Sequence, residues 1–415
     1  MSELVRMFRD TISTYKDPNM RNEKVADVGY STGFPNFDMR NATVVHVKNQ
    51  ERNLNYKYYQ IGIADGNITM LIGRSGCGKS TLALQMAANI IRPFPTGCIF
   101  SDEIESGMQD SRKQILTKFM GDELRERVIT RNTGINTENV YERIKLIHDL
   151  RMKNSDKFLY NTGYLDYKGD PILKMEPCVY IIDSWALLRP RGLTEEETLS
   201  GQMSTTSSVK ANTETLRRII PMLKAANINL FIINHILQDV KINQFDTRPT
   251  QNRFLKSGER CPGGETIMYL ISNLLKLYDE NVKGEFGIDG SNVVRCELAK
   301  SRTNKAGKTT YFFFDQYNGY DPDLSLYITL HKEKLITAAG SWMYFNGHPE
   351  VKFQQKSFKE KVTTDPEFRK LFMQVSYEYL SKLADEEEDL DEDVSKSNKD
   401  NLNEFYNLVD YKIHA

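Results

Sequence analysis

"LIGRSGCGKSTLALQM", residues 71–86, sets Gly73, Gly78, Lys79 and Ser80 at the spacing of a phosphate-binding loop. A strand-like apolar run precedes the loop and a helical pattern follows it. Glycines let successive backbone N–H groups converge on phosphates, and the helix behind adds the positive end of its dipole. Gly73, Arg74, Ser75, Gly76, Cys77, Gly78, Lys79, Ser80 and Thr81 are therefore the candidate ATP-binding residues. Lys79 supplies charge to the β and γ phosphates, and Ser80 a hydroxyl for Mg²⁺.

Outward from the loop, apolar runs alternate with amphipathic ones. "NITMLIG", "TGCIFSDE", "CVYIIDS" and "INLFIINH" read as strands, and "KSTLALQMAANII", "SRKQILTKFM", "ENVYERIKLIHDLRMK" and "VKANTETLRRIIPMLKAAN" as helices. Continuously apolar strands between such helices predict a mostly parallel sheet buried on both faces, an α/β fold. The segment 158–175 interrupts the alternation and reads as a hairpin insertion. After residue 263, "TIMYLISNLLKLY", "NVVRCELAKSR" and "TTYFFFDQY" read as strands extending the sheet in antiparallel fashion, and 321–383 as a small α/β unit. Earlier, "VVHVKN" reads as a strand, and "ELVRMFRDTISTY" places Leu4, Met7, Phe8 and Ile12 on one side of a short helix.

Polar groups collect at the ends of the predicted parallel strands. Asp183 ends "CVYIID", where a carboxylate can hold the water shell of Mg²⁺. The next residue is Ser184, so the base that orients the attacking water must lie elsewhere, unlike transporter ATPases or terminase motors with an Asp-Glu pair there. "CIFSDEIES" offers Glu103 and Glu105 for that task, and the spacing does not choose between them. Asn234 and His235 end a third strand and are candidates to sense the γ-phosphate by hydrogen bonding. Two loops hang from these strand ends, 187–203 with Arg189 and Arg191, and 237–264. The second interleaves Lys241, Arg248, Arg253, Lys256 and Arg260 with Phe245 and Phe254, a composition suited to single-stranded nucleic acid.

The net charge of −1 argues against a uniformly basic coat, but "DEEEDLDED" at 385–393 masks a remainder that is clearly basic. Five cysteines without close pairing suggest neither a disulfide framework nor a zinc site. No apolar run nears the ~20 residues needed to cross a bilayer, so a cytoplasmic protein, free of membrane, is expected.

With these parts in this order, the chain resembles the RecA family of recombination ATPases, most closely the UvsX-type recombinases of tailed bacteriophages. The resemblance rests on "GRSGCGKST", "CVYIIDSWALL", "LFIINHI", "CPGGETIMYLISNLLKLY", "ELAKSRTNKAGKTTYFF" and "LHKEKLITAAGSWMYFNGHPEVKF", and covers about residues 25–380. It implies a RecA-like P-loop core at 31–320, a short N-terminal helical arm at 1–30 for polymerisation, a small C-terminal α/β domain at 321–383 and an acidic tail at 384–415. It implies ATP and Mg²⁺ as cofactors, Glu105 or Glu103 as the water-orienting group, and Lys300 and Arg302 reaching ATP on a neighbouring subunit. By the same resemblance the two loops contact DNA, Gly263 and Gly264 close the second, and Arg112 stands where the family often places an aromatic against adenine.

The activity implied is DNA-dependent ATP hydrolysis by a helical filament on single-stranded DNA that pairs it with a homologous duplex. A recombination mediator and a single-strand-binding protein are the implied partners, and a phage protein in a host cytoplasm the implied setting. A replicative helicase of the same fold is the alternative enzyme; it would need a sizeable helical domain ahead of the core, where about 58 residues stand here. An ATP-gated DNA-binding scaffold without strand exchange is the other alternative.

Overall fold

The computed structural model describes residues 28–386 apart from 106, 119–120, 167–168, 196–200, 239–251, 257, 265, 284–285, 287, 289 and 304. Almost all of the predicted arm, the acidic block beyond 386, and Lys241, Phe245 and Arg248 lie outside the described residues.

The chain enters through a two-residue strand β1 (Gly29–Tyr30), a short helix α1 (Pro35–Arg40) and an antiparallel pair, β2 (Thr43–Asn49) with β3 (Leu54–Gln60). β4 (Ile63–Ala64) then pairs with β1. The alternating part follows: β5 (Ile68–Gly73), α2 (Lys79–Ile91), β6 (Ile99–Glu103), α3 (Asp110–Leu116), α4 (Gly121–Arg125), β7 (Val128–Arg131) and α5 (Thr137–Lys153). A hairpin of β8 (Leu159–Leu165) and β9 (Pro171–Met175) intervenes before β10 (Cys178–Asp183), α6 (Arg191–Glu195), α7 (Gly201–Ala225) and β11 (Ile228–His235). Beyond the second loop, whose legs form β12 (Leu237–Gln238) and β13 (Glu259–Arg260), come α8 (Thr266–Leu270), β14 (Asn273–Lys283), β15 (Ser291–Lys300), β16 (Thr309–Asp315) and β17 (Gly319–Asp321). The last described elements are α9 (Pro322–Lys332), β18 (Ile336–Ala339), β19 (Trp342–Phe345), β20 (His348–Phe353), α10 (Phe358–Thr364) and α11 (Pro366–Glu386).

The main sheet has the order β17-β16-β15-β14-β5-β11-β10-β6-β7. From β14 to β7 all neighbours are parallel, and β15, β16 and β17 extend the sheet antiparallel. The run "TIMYLISNLLKLY" is therefore not one antiparallel strand: its first five residues form α8, and β14 runs parallel to β5. An unbroken apolar run has no period with which to tell helix from strand.

β5 shows why the sheet is buried on both faces. Leu71 joins a core with Leu82, Met86 and Ile90 of α2, while Ile68, Met70 and Ile72 join the opposite core with Leu216, Ile219 and Leu223 of α7. Two-residue periodicity sends alternate side chains to opposite helical layers. A third cluster gathers Leu330, Phe345, Phe353, Phe358 and Phe372 from the C-terminal elements together with Met39, Val44 and Phe313. The C-terminal elements thus share their apolar cluster with α1, β2 and β16. This layout sends the carboxyl ends of β5, β11, β10 and β6 to one edge of the sheet, where the register sets His235 beside Gly73, and Asp183 beside Glu103 and Ile233.

Candidate functional site

The phosphate loop joins β5 to α2 with Arg74, Ser75 and Gly76 exposed. Cys77 turns into the core, where burial pushes its thiol up from its ordinary range. Lys79 is buried, and its Nζ donates to the carbonyls of Gly73 (3.2 Å) and Arg74 (2.8 Å), which folds the charge over the loop it serves. Behind the loop, the Tyr320 hydroxyl donates to Cys77 O at 3.0 Å. Gly78 has a φ of 76°, and a Cβ there would lie 2.5 Å from that hydroxyl, so the position admits glycine alone. Composition gave no hint of Tyr320, because the strand that carries it enters the sheet more than two hundred residues after the loop.

The Ser80 hydroxyl donates to Asp183 Oδ2 at 2.5 Å. Burial raises the Asp183 carboxyl above its usual range; Ser80 opposes this, and the nearby Glu105 and Glu103 carboxylates add to it. The peptide bond between Asp183 and Ser184 is cis. Among the described residues no three His, Cys, Asp or Glu converge as a metal cage. Mg²⁺ beside a triphosphate takes most of its ligands from phosphate and water, so one hydroxyl and one buried carboxylate in a negatively charged corner fit it.

The two candidate glutamates have different surroundings. Glu103 ends β6, is 9% exposed, and is held by Lys113 Nζ of α3 at 2.8 Å. Glu105 lies two residues past the strand with its side chain 36% exposed. Its Oε1 accepts from the Ser184 hydroxyl, and His235 Nε2 lies 2.9 Å from the same oxygen. Partial burial is the largest single influence on this carboxyl and pushes it up, but the hydrogen bonds from Ser184 and His235, with the charges of His235 and Lys79, bring it below its usual range.

Asn234 corrects the expectation of a phosphate sensor. It is fully buried, and its Nδ2 donates to Pro262 O at 2.8 Å and lies 3.2 Å from Cys261 Sγ. Its amide therefore ties the end of β11 to the returning leg of the second loop. His235 sits at the edge, engaged with Glu105.

In the first loop, Arg189 is exposed, while Arg191 Nη2 bonds Asn139 Oδ1 at 2.9 Å and lies 3.6 Å from Glu142. In the second, Arg253 and Arg260 are exposed, and Lys256 stacks over Tyr278 at 4.3 Å. Phe254 is a second correction: at 8% exposure it belongs to the core beneath α8, packed edge-on to Tyr269 at 6.0 Å, and offers no face to a base. The exposed aromatic here is Tyr269, at 50%, which nothing in the local cation pattern singled out. Gly263 and Gly264 have φ of 85° and 90°, and a Cβ on them would meet Trp185 at 2.9 Å and Val209 at 2.5 Å. Close packing of the loop over Trp185 and α7 is reason enough for both glycines.

Lys300 and Arg302 gather at the C-terminal end of α8. Lys300 Nζ donates to the carbonyls of Met268, Tyr269 and Ile271 at 2.7, 2.9 and 2.8 Å, and Arg302 Nη2 to Tyr269 O at 2.8 Å. Desolvation, with the charges of Arg302 and Arg253, lowers Lys300 to about 8. Lys300 pairs with Leu274, and Leu274 with Met70, three residues short of Gly73. That separates the cation from its own phosphate loop by roughly 10 Å along the strands and roughly 10 Å across them. Arg112 donates to the backbone carbonyl of Tyr317, a residue 67% exposed that sequence alone did not connect to it.

A family model described as ABC transporter matches residues 56–265, from β3 through the phosphate loop to the end of the second loop. No curated protein matches the chain. Among solved structures, the crystal structure of the RadB recombinase is similar, with 17% identity over 63% of this chain and 92% of that one and a TM-score of 0.37. No helix of the described residues is long and apolar enough to cross a membrane. The expected separation from transporter ATPases does not hold at the level of the family, although Ser184 still stands where those enzymes carry a carboxylate. The matched span is just over half of the 415 residues, so the chain belongs to the P-loop ATPase family described by the ABC transporter model.

Proposed function

We propose that this ATPase is a DNA-dependent recombinase of the UvsX type, whose copies assemble as a helical filament on single-stranded DNA with ATP held between neighbours. The observation that supports this reading is the position of Lys300 and Arg302. They are too far from their own phosphate loop to serve it, and a cation pair at that edge becomes useful when it faces the triphosphate of the next copy. On this reading residues 1–30 form the arm that docks on a neighbour, 31–320 the ATPase core, 321–383 a small C-terminal domain and 384–415 an acidic tail.

Lys79 leaves its carbonyl partners to bind the β and γ phosphates, with the loop N–H groups around them. Ser80 and Asp183 would hold Mg²⁺, which neutralises charge on the phosphate oxygens when bound. Glu105 takes a proton from the attacking water, being the carboxylate without a lysine partner, and Lys113 leaves Glu103 a supporting role. His235 moves from Glu105 to the γ-phosphate when ATP enters and so reports its presence to the second loop. Lys300 and Arg302 of the adjacent copy stabilise charge in the transition state, as an arginine finger does. Arg112 and Tyr317 flank the base. Arg189 and Arg191, with Arg253, Lys256 and Arg260, follow the DNA backbone, while hydrolysis loosens the grip.

Electron microscopy with a non-hydrolysable ATP analogue, with and without single-stranded DNA, tests the assembly. Helical filaments are expected; closed six-membered rings would favour a replicative helicase. A D-loop assay then separates a recombinase from a DNA-binding scaffold that lacks strand exchange.

A further inference from the structure

We propose that Ser184 is a positioning residue for water activation, its hydroxyl fixing the Glu105 carboxylate so that one oxygen stays available to take the proton. The proposal rests on the assignment of Glu105 given above. Glu105 lies beyond the last ladder residue of β6, and its side chain is more than a third exposed, so strand pairing alone does not fix its rotamer. The structure supplies the missing constraint from β10. Ile104 N and Glu105 N both donate to Asp183 O, at 2.6 and 3.3 Å, which fastens the backbone of the segment to the end of the metal strand. The residue that follows the strand then fastens the side chain: Ser184 Oγ donates to Glu105 Oε1.

Ser184 has no exposed surface, so its hydroxyl proton must find a partner within the protein, and the one it meets is this carboxylate. His235 approaches the same oxygen, Oε1, and both donors therefore leave Oε2 for water. The two partners differ in exposure: the His235 side chain is 26% exposed at the strand edge, whereas Ser184 is enclosed. Residue 184 thus holds the base in place from just past the end of the neighbouring strand. Misplacing a reacting group by about 1 Å costs on the order of a hundredfold in rate, so a loosened carboxylate that still samples the right rotamer should lose about tenfold.

A double-mutant cycle on the full-length chain, with ATP and single-stranded DNA, tests this. Ser184→Ala is expected to lower kcat about tenfold with KM for ATP within about twofold, and to add no further loss in a Glu105→Gln background. A loss that multiplies in both backgrounds, or an unchanged kcat in Ser184→Ala, overturns the positioning role. Full turnover in Glu105→Gln is a different result, and removes the base assignment along with the proposal. Should Ser184→Ala fail to fold by thermal melting, Ser184→Cys keeps the volume and a weak donor; it is expected to show an intermediate kcat at wild-type nucleotide binding, and wild-type kcat or a matching loss of nucleotide binding would count against the role.

Discussion

The two ends of the parallel strands use the same kinds of charged residue and treat them in opposite ways. At the amino ends, Lys174 of the β8–β9 hairpin meets Asp65 at 2.9 Å with both side chains buried, and Lys224 adds a second contact at 3.2 Å. Arg151 donates to the carbonyls of Ala226 and Glu176, and the Glu176 carboxylate accepts from Thr96. Asp65 there has two lysines as its complement, and Arg151 and the Glu176 carboxylate are held by hydrogen bonds within the chain. At the carboxyl ends, Asp183 and Glu105 meet hydroxyls and an imidazole, and Lys79 meets carbonyls of its own loop. Burial and neighbouring carboxylates already strain the ionised state of Asp183. A structure closed at one end and electrostatically incomplete at the other is what a nucleotide and its metal require: the first end supplies rigidity, the second an unmet demand for charge.

Substitutions at the incomplete end should therefore remove turnover with small effects on folding. Lys79→Ala, measured by phosphate release, should lower turnover at least ~10³-fold with the melting temperature little changed. Away from that end, where the register sets Lys300 level with Met70, Lys300→Ala combined with Arg302→Ala should also lower turnover on the order of a hundredfold or more while the isolated chain stays folded, and unchanged turnover would exclude the trans assignment. Glu105→Gln should cost roughly a hundredfold, whereas Glu103→Gln should cost less than about tenfold; equal losses would erase the distinction drawn from Lys113. At the complete end the expectation inverts. Lys174→Ala should destabilise the fold by about 2 kcal/mol in denaturant unfolding, below the usual cost of breaking a buried pair because Lys224 still reaches Asp65, with kcat unaltered.

How much of this was readable in advance follows from the range of the forces involved. The phosphate loop, α2 and β11 stand where their local patterns put them, because a glycine spacing and a run of like residues act over a few positions. The hairpin at 159–175 was equally visible, since it breaks a clear alternation, but the ion pair that anchors it joins residues 65 and 174 and leaves no local trace. Phe254 among cations looks like a base-stacking ring and is a core residue, because burial under α8 is decided by elements that follow it. Asn234 fails in the same way through Pro262. The choice between Glu103 and Glu105 turns on where β6 stops and on partners at 113, 184 and 235, three positions supplied by three different elements. The short strand β7 passed unnoticed because four residues carry too little pattern.

The measurement that reaches the central claim most directly is ATP turnover per molecule as a function of protein concentration, with and without single-stranded DNA. If ATP is completed by Lys300 and Arg302 of an adjacent copy, specific activity should climb with concentration and be raised further by DNA, reaching a plateau where filaments form. A specific activity that is constant down to the monomer and indifferent to DNA would contradict the account.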